Sequence, residues 1–182
     1  MSVKITNFAH GADTDENKKI SSGWSDVELS ELGVEQSKKL RDLVKDTKFD
    51  AVFCSDLKRA VDTAKLAFEG VAPIIEDERL RECNYGKFNG HPSSVVEPMC
   101  EKECIYNKFS EGESYEDVKL RIADFLEFLS KKYEGKRVAI VSHKAPQLAI
   151  EVLVNGKTWK EALAGDWRKT KSWQPGWNYN LN

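Results

Sequence analysis

The stretch Arg137–Ser142 most constrains the fold, because its apolar residues run without interruption from Val138 to Val141. A strand that is apolar on both sides must be covered on both faces, as happens in the parallel sheets of α/β proteins. A similar stretch, Val3–Ala9, is rich in β-branched and aromatic residues and also predicts a strand. Each stretch is followed by a histidine, and the carboxyl ends of such strands are where α/β proteins bind ligands.

Helices are predicted between these strands. Ser30 reads as the N-cap of a first helix, and Ser114 with Asp117 predicts a capping box at the start of a long one. The strand Ala51–Cys54 precedes a helix predicted from Leu57 to about Phe68. This alternation of apolar strands and helices indicates an α/β fold.

Composition narrows the function classes. The 182 residues fit one domain, over 1–182, with a proper core. A net charge of −2 gives no overall basic field for nucleic acid or a membrane surface, and no apolar run approaches the roughly 20 residues of a membrane helix. The N-terminus leads directly into a strand without a signal peptide. The cysteines are scattered, which favours reduced thiols and a cytoplasmic location: Cys54, Cys83, Cys100 and Cys104.

Single residues in this chain are weak functional signals. A histidine such as His10, at a strand end beside Gly11, can be a nucleophile, a base or a metal ligand, but it is more often structural. Arg59 lies in the first turn of its helix, where anions bind well, yet taken alone it is better explained by a salt bridge with Asp56 or Asp62.

The order of several motifs is more specific than any one of them. They are Ala9-His10-Gly11, Ser55-Asp56-Leu57-Lys58-Arg59-Ala60 with Thr63-Ala64, Arg81-Glu82 with Tyr85-Gly86, and Val141-Ser142-His143. Taken together over nearly the whole chain, this set resembles the histidine phosphatase superfamily, the phosphoglycerate-mutase-like enzymes. The resemblance implies a three-layer α/β/α sandwich around a mostly parallel central sheet.

The resemblance also implies a mechanism. His10 would attack a phosphate monoester and form a phosphohistidine, and Glu82 would act as general acid and then base, protonated beside the bound dianion. Arg59 and His143 would stabilise the equatorial phosphoryl oxygens. The chemistry requires no metal and no cofactor. The alternative for Glu82 is an ion pair with Arg79 or Arg81.

Three positions depart from the family pattern. Ala9 stands where the family has an arginine, and it is either an engineered substitution or a natural feature of a weak phosphatase or phosphoryl-ligand binder. The loop after Gly11 has one residue more before Thr14 than the family motif has. Asn17 would contact the phosphate only if it still aligns with the asparagine of that motif. An equally favoured alternative is that Asn17 lies in a solvated loop. Lys144 replaces a small residue after His143. It could partly supply the missing charge, although a solvent-facing side chain is favoured.

The remaining segments carry weaker predictions. Residues 91–113 would form a variable lid over the substrate, and the part from His91 to Ser110 is predicted to be irregular. His91 could touch substrate, but a loop histidine without a catalytic role is favoured. The C-terminal tail holds four tryptophans, which predict packing against the domain edge rather than a partner surface: Trp159, Trp167, Trp173 and Trp177.

The function favoured by these residues is hydrolysis of a small phosphorylated metabolite, impaired by Ala9. A phosphoglycerate mutase is the first alternative, but little room exists between Glu82 and Ser114 for the large insertions of cofactor-dependent mutases. A non-catalytic phosphoryl-ligand binder is the second alternative, and only Ala9 supports it. The substrate and the oligomeric state are not readable from the sequence.

Overall fold

The computed structural model describes residues 2–172 and 174–182, except for the side chain of Asn17. The strands are β1 (Val3–Ala9), β2 (Ile20–Ser21), β3 (Ala51–Cys54), β4 (Ile74–Glu76), β5 (His91–Pro92), β6 (Arg137–Ser142) and β7 (Trp177–Leu181). The helices are α1 (Glu31–Val44), α2 (Lys58–Phe68), α3 (Ser93–Glu101), α4 (Tyr115–Lys132), α5 (Lys144–Asn155), α6 (Trp159–Ala164) and α7 (Trp167–Thr170).

The central sheet confirms the predicted α/β fold. Within the described residues its strand order is β4-β3-β6-β1-β7, and every pair is parallel except β1 with the antiparallel edge strand β7. The two strands predicted to end in histidines, β1 and β6, are direct neighbours, with Ala9 opposite Ser142. His10 and His143 therefore emerge side by side at the same edge of the sheet.

Helices cover both faces of this sheet. Successive residues of β6 point to opposite sides, so Ile140 joins the core beneath α4 and α5, while Val141 joins the core beneath α1 and α2. Phe53 of β3 packs in the first of these cores, and Phe8 of β1 packs in the second. The result is the three-layer α/β/α arrangement that continuous apolar strands require.

The predicted helix starts are confirmed at two caps. The Ser30 hydroxyl accepts a hydrogen bond from the backbone N–H of Gly33 at 3.2 Å, which caps α1. Ser114 and Asp117 form the reciprocal capping box at the start of α4. Each cap supplies partners for N–H groups that the first helical turn cannot satisfy.

The prediction that the chain is irregular from His91 to Ser110 is wrong in part, because α3 occupies its first half. Val96 and Cys100, four residues apart, are fully buried on one face of that helix, and Pro98 is tolerated inside it. Burial of this helix face stabilises α3 although a proline disfavours a helix. That residues 1–182 form one domain with a variable lid near 91–113 stays a prediction.

The C-terminal tail packs against the body of the protein, as the sequence predicted. Trp159 is buried, and the rings of Trp167 and Trp177 stack with centroids 5.8 Å apart. Trp177 begins the edge strand β7, which the sequence pattern did not reveal. Trp173 lies outside the described residues.

Two further observations concern the cellular setting. All four cysteines are buried and unbridged. In the part of the chain that the structure describes, no helix has the length and apolarity needed to cross a membrane. The cytoplasmic location stays a prediction.

Candidate active site

A cavity of about 920 Å³ opens at the carboxyl ends of β1, β3 and β6. The parallel strands and the helix starts that follow them bring side chains from distant parts of the sequence to its wall, as α/β sheets do. Of the predicted site residues, His10, Arg59, Glu82 and Lys144 line this cavity, together with Ala9.

The two histidines lie side by side at the base of the site: His10 lines the cavity, whereas His143 is 1 % exposed and is not among the described residues of its wall. Because β1 and β6 are adjacent and in register, the imidazole centroids of His10 and His143 lie 4.9 Å apart. The backbone N–H of His10 donates to the carbonyl of Ser142 at 3.3 Å, which ties the two strand ends together. This spacing allows both rings to contact one small group between them.

His10 is held as a neutral ring with a defined tautomer. Its Nδ1 lies 2.7 Å from the carbonyl oxygen of Gly11, and since a carbonyl can only accept, Nδ1 carries the hydrogen. Burial within the surrounding protein, aided by the charge of Arg59, lowers the pKa of His10 to about 3, although the residue is half-buried and lines the cavity. Nε2 therefore keeps its lone pair.

His143 is fully buried and has an unusual environment. It precedes α5 as its N-cap residue, yet neither ring nitrogen has a hydrogen-bond partner among the described residues. Burial, the charge of Arg59 and the neighbouring His10 together lower its pKa well below the ordinary value. A buried nitrogen without a hydrogen-bond partner lowers the stability of the folded protein. The two nitrogens of His143 therefore indicate a ligand that would bind them.

Arg59 projects from the first turn of α2 and is only 2 % exposed. Its terminal nitrogens donate to the carbonyls of Gly23 and Ser25, at 2.8 and 3.0 Å, while Nε has no hydrogen-bond partner among the described atoms. The alternative salt bridge from Arg59 to Asp56 or Asp62 does not form. Asp56 pairs with Arg81 at 2.5 Å, and Asp62 pairs with Lys58 at 3.0 Å.

Asp13 is a cavity residue that the sequence analysis did not single out. Its Oδ2 lies 3.6 Å from Nε of Arg59, and its Oδ1 accepts hydrogen bonds from the backbone N–H groups of Asp15 and Glu16. The signal available in the sequence was an acidic residue in the extended loop after Gly11. It partly offsets the positive charge that Arg59 presents.

Glu82 is oriented by backbone donors. Its Oε1 accepts from the N–H groups of Cys83 and Ala145, at 2.8 and 3.0 Å, and Oε2 accepts from the N–H of Lys144 at 3.1 Å. Two of these donors belong to the start of α5, where backbone N–H groups have no partner within the helix. The carboxylate is thus tied to the same helix start as His143.

The alternative ion pairs of Glu82 are not observed, because both candidate arginines bind other carboxylates. Arg79 binds Asp77 and Asp124, each at 2.7 Å, and Arg81 binds Asp56. Within the described part of the chain, Glu82 therefore forms no salt bridge and keeps its position through backbone donors.

Lys144 is buried, so the solvent-facing side chain favoured from the sequence is wrong, and a phosphate-binding role for its ammonium stays a prediction. The Nζ group pairs with Glu97 of α3 and lies 4.0 Å from the buried carboxylate of Asp166. Burial of the ammonium opposes its charge, but Glu97 outweighs that effect and raises the pKa of Lys144. The remaining predicted phosphate ligand, Asn17, has a side chain outside the described atoms, so its role stays a prediction.

Trp167 and Arg168 also line the cavity, although they follow His10 by more than 150 residues. No local motif marks them, and only the return of the tail along α5 and β7 brings them here. Among the described residues, no three His, Cys, Asp or Glu side chains converge as metal ligands would.

The family model of the histidine phosphatase superfamily (branch 1) matches residues 9–174. The chain is 34 % identical over 136 residues to a fructose-2,6-bisphosphatase TIGAR of Xenopus tropicalis, covering 70 % of this chain and 50 % of that protein. It thus spans about half the length of that relative. It is 29 % identical over 166 residues to a 2,3-bisphosphoglycerate-dependent phosphoglycerate mutase of Methylorubrum extorquens strain PA1, covering 83 % of this chain and 78 % of the mutase.

A solved structure has the same fold. The mycobacterial glucosyl-3-phosphoglycerate phosphatase, in complex with VO3, superposes with a TM-score of 0.79 over 88 % of this chain and 86 % of that one, at 22 % sequence identity. At that identity the likeness concerns the fold alone.

Proposed function

The chain belongs to the histidine phosphatase superfamily, and on that premise we propose that it hydrolyses monoesters of small phosphorylated metabolites through a phosphohistidine at His10. The names of its relatives support the substrate class: a fructose-2,6-bisphosphatase and a phosphoglycerate mutase. Each of those names denotes an enzyme for a small phosphorylated compound.

The observation that carries the proposal is the state of His10. A neutral imidazole, with Nδ1–H bound to the Gly11 carbonyl at 2.7 Å, leaves the Nε2 lone pair for attack. A neutral nucleophile avoids the repulsion that an anion would meet at a negatively charged phosphate ester. His143, 4.9 Å away between ring centroids, and the unpaired Nε of the buried Arg59 are the donors that we assign to the phosphoryl oxygens.

The proposed reaction has two balanced steps. Nε2 of His10 forms a bond to phosphorus as the ester P–O bond breaks, and the leaving oxygen takes a proton from the Glu82 carboxyl group. Water then attacks the phosphohistidine, the P–N bond breaks, and the Glu82 carboxylate takes the proton of that water. His143 and Arg59 stabilise the equatorial oxygens, where negative charge lies in the transition state.

Ala9 limits the rate of this reaction. The superfamily resemblance puts a second phosphate-binding arginine at this position, and losing one such donor typically costs on the order of 3 kcal/mol, or roughly a hundredfold in rate. Asp13, 3.6 Å from Arg59, lowers the net positive charge further. We therefore expect slow turnover from the chain as it stands.

The test is a panel of phosphate monoesters assayed with the chain itself and with Ala9→Arg. Phosphate release should rise by roughly a hundredfold in Ala9→Arg, and His10→Ala should abolish turnover in both backgrounds. His91→Ala is the matched control, because His91 lies on β5 outside the cavity wall. A folded His10→Ala protein that keeps substantial activity would exclude His10 as the phosphoryl acceptor.

The same panel separates the other functions. Isomerisation of a phosphoglycerate without net phosphate release would indicate a mutase, which retransfers the phosphoryl group from His10. Binding of phosphate esters without turnover, in Ala9→Arg as well, would indicate a non-catalytic binder.

A further inference from the structure

Arg168 offers the cavity a cation that the family motifs do not include. It lines the same cavity as Ala9, His10 and Arg59. Its guanidinium lies 4.4 Å from the centroid of the adjacent Trp167 ring, a cation–π distance, and the side chain is 28 % exposed. The group is thus neither solvated like a surface arginine nor closed off from a ligand.

Asp166 fixes this arginine in place. Its Oδ1 accepts from the backbone N–H of Arg168 at 3.1 Å and from Nη1 at 3.0 Å. The Asp166 side chain is 1 % exposed, and its second oxygen faces Lys144 at 4.0 Å. One buried carboxylate therefore links Arg168 to the start of α5, where His143 and the donors to Glu82 are found.

Trp167 holds the same segment from the other side. Its ring stacks on Trp177 of β7, and its indole N–H donates to the side chain of Gln147 in α5 at 3.3 Å. Two contacts to different elements leave the Trp167–Arg168 wall little freedom. An arginine on such a wall loses less conformational entropy when it binds an anion.

The lysines that line the cavity are less suited than Arg168 to bind a phosphoryl group. Lys144 pairs with Glu97 and also lies 4.0 Å from Asp166, and the side chains of Lys18, Lys19 and Lys39 are exposed. Arg168 is paired too, with Asp166 at 3.0 Å, but only through Nη1. Burial is the main cause of the lowered pKa of both His10 and His143, and the charge of Arg168 adds a smaller contribution to each.

We propose that Arg168, from the C-terminal wall of the cavity, partly replaces for the phosphoryl group on His10 the positive charge that Ala9 cannot supply. This inference rests on the proposed function, because it assumes a phosphoryl group at His10. Nη1 is the only guanidinium nitrogen of Arg168 with a hydrogen-bond partner among the described residues, which leaves Nε and Nη2 as donors for phosphoryl oxygens. An arginine fork suits two such oxygens at once.

The test is a double-mutant cycle between positions 9 and 168. Four proteins are compared: the chain itself, Ala9→Arg, Arg168→Gln and the double variant. The readouts are calorimetric binding of inorganic phosphate, which needs no turnover, and kcat/KM for p-nitrophenyl phosphate. A charge-assisted hydrogen bond of about 1.5–3 kcal/mol predicts a loss of roughly ten- to a hundredfold from Arg168→Gln when residue 9 is Ala. In the Ala9→Arg background, the loss should shrink to less than about threefold.

Lys169→Gln is the matched control, since it removes the same charge one residue later from a side chain paired with Glu101 outside the cavity. It should leave both readouts unchanged. Arg168→Lys keeps the charge and should give an intermediate loss, which separates charge from a packing defect; thermal unfolding checks that each variant is folded.

Two outcomes overturn the inference while the proposed function survives. They are equal losses from Arg168→Gln in both backgrounds, and no loss in either, in a protein whose Ala9→Arg form hydrolyses the ester. If neither the chain itself nor its Ala9→Arg variant binds phosphate or releases it, the proposed function fails and the role of Arg168 fails with it.

Discussion

The contact between Asp13 and Arg59 affects how tightly this site can bind phosphate. Arg59 is almost completely buried and offers its unpaired Nε toward a carboxylate oxygen 3.6 Å away. A bound phosphate would have to share that arginine with Asp13. The two negative groups repel each other, because little water separates charges at the bottom of a cavity.

We expect Asp13→Asn to strengthen phosphate binding. The amide oxygen can still accept from the backbone N–H groups of Asp15 and Glu16, so the loop should keep its shape. Removing a like charge at this range should raise the affinity for inorganic phosphate by at least about threefold, measured by calorimetry. Glu31→Gln, an exposed acid at the start of α1, is the control. Weaker binding in Asp13→Asn would mean that Asp13 mainly positions Arg59.

Glu82 should matter most where the leaving group needs a proton. We expect Glu82→Gln to reduce kcat/KM by roughly a hundredfold or more for alkyl phosphates and by much less for aryl phosphates, whose leaving groups depart unprotonated. Glu101→Gln, on the far end of α3 and paired with Lys169, is the control. Equal losses on both ester classes would show that Glu82 only orders the start of α5.

At the scale of elements, α1 and α2 together fix the loop that carries His10. The backbone N–H of Gly11 donates to Thr63 of α2 at 3.0 Å, and that of Ala12 donates to Gln36 of α1 at 2.8 Å. A Cβ added at Gly33 would lie 2.0 Å from the carbonyl oxygen of Ala12, so α1 can approach this loop only through a glycine.

Gly33→Ala should therefore damage the site from a distance. The clash is with backbone, which cannot rotate away, so α1 or the loop must shift. We expect a loss of about 1–3 kcal/mol in the free energy of unfolding, measured with urea, together with lower kcat. Glu35→Ala, an exposed position on the same helix, should change neither. Unaltered stability in Gly33→Ala would mean that the loop is free to yield.

The sequence revealed the parts of the site that depend on strand ends and helix starts. His10, Arg59 and His143 each follow a recognisable strand, and parallel topology brings such positions together without further information. Arg168 could not be found this way, because its place depends on how the tail returns along α5 and on the edge strand β7. Asp13 was missed for a related reason: only the folded loop turns its side chain toward Arg59.

At the scale of the whole molecule, the buried histidines of the site should make the free energy of unfolding depend on pH. Burial and the charge of Arg59 hold the pKa of His10 at about 3 and that of His143 well below its ordinary 6.5. The unfolded chain binds protons on these rings as the pH falls through about 6.5, whereas the folded chain does not until far lower pH. Stability therefore rises with pH across this window and falls as the solution is acidified.

We expect the free energy of unfolding to decrease by up to about 1.4 kcal/mol per pH unit for each of the two rings below pH 6.5. Urea unfolding between pH 7.5 and 5.0 measures this slope, in a range where most carboxylates remain ionised. His143→Gln removes one titrating group and should lower the slope by about half, whatever it does to the stability at neutral pH. Identical slopes in the two proteins would mean that His143 takes up its proton equally in both states. Added inorganic phosphate should raise the whole stability curve if it binds the folded chain, since a ligand that binds only the folded state stabilises it.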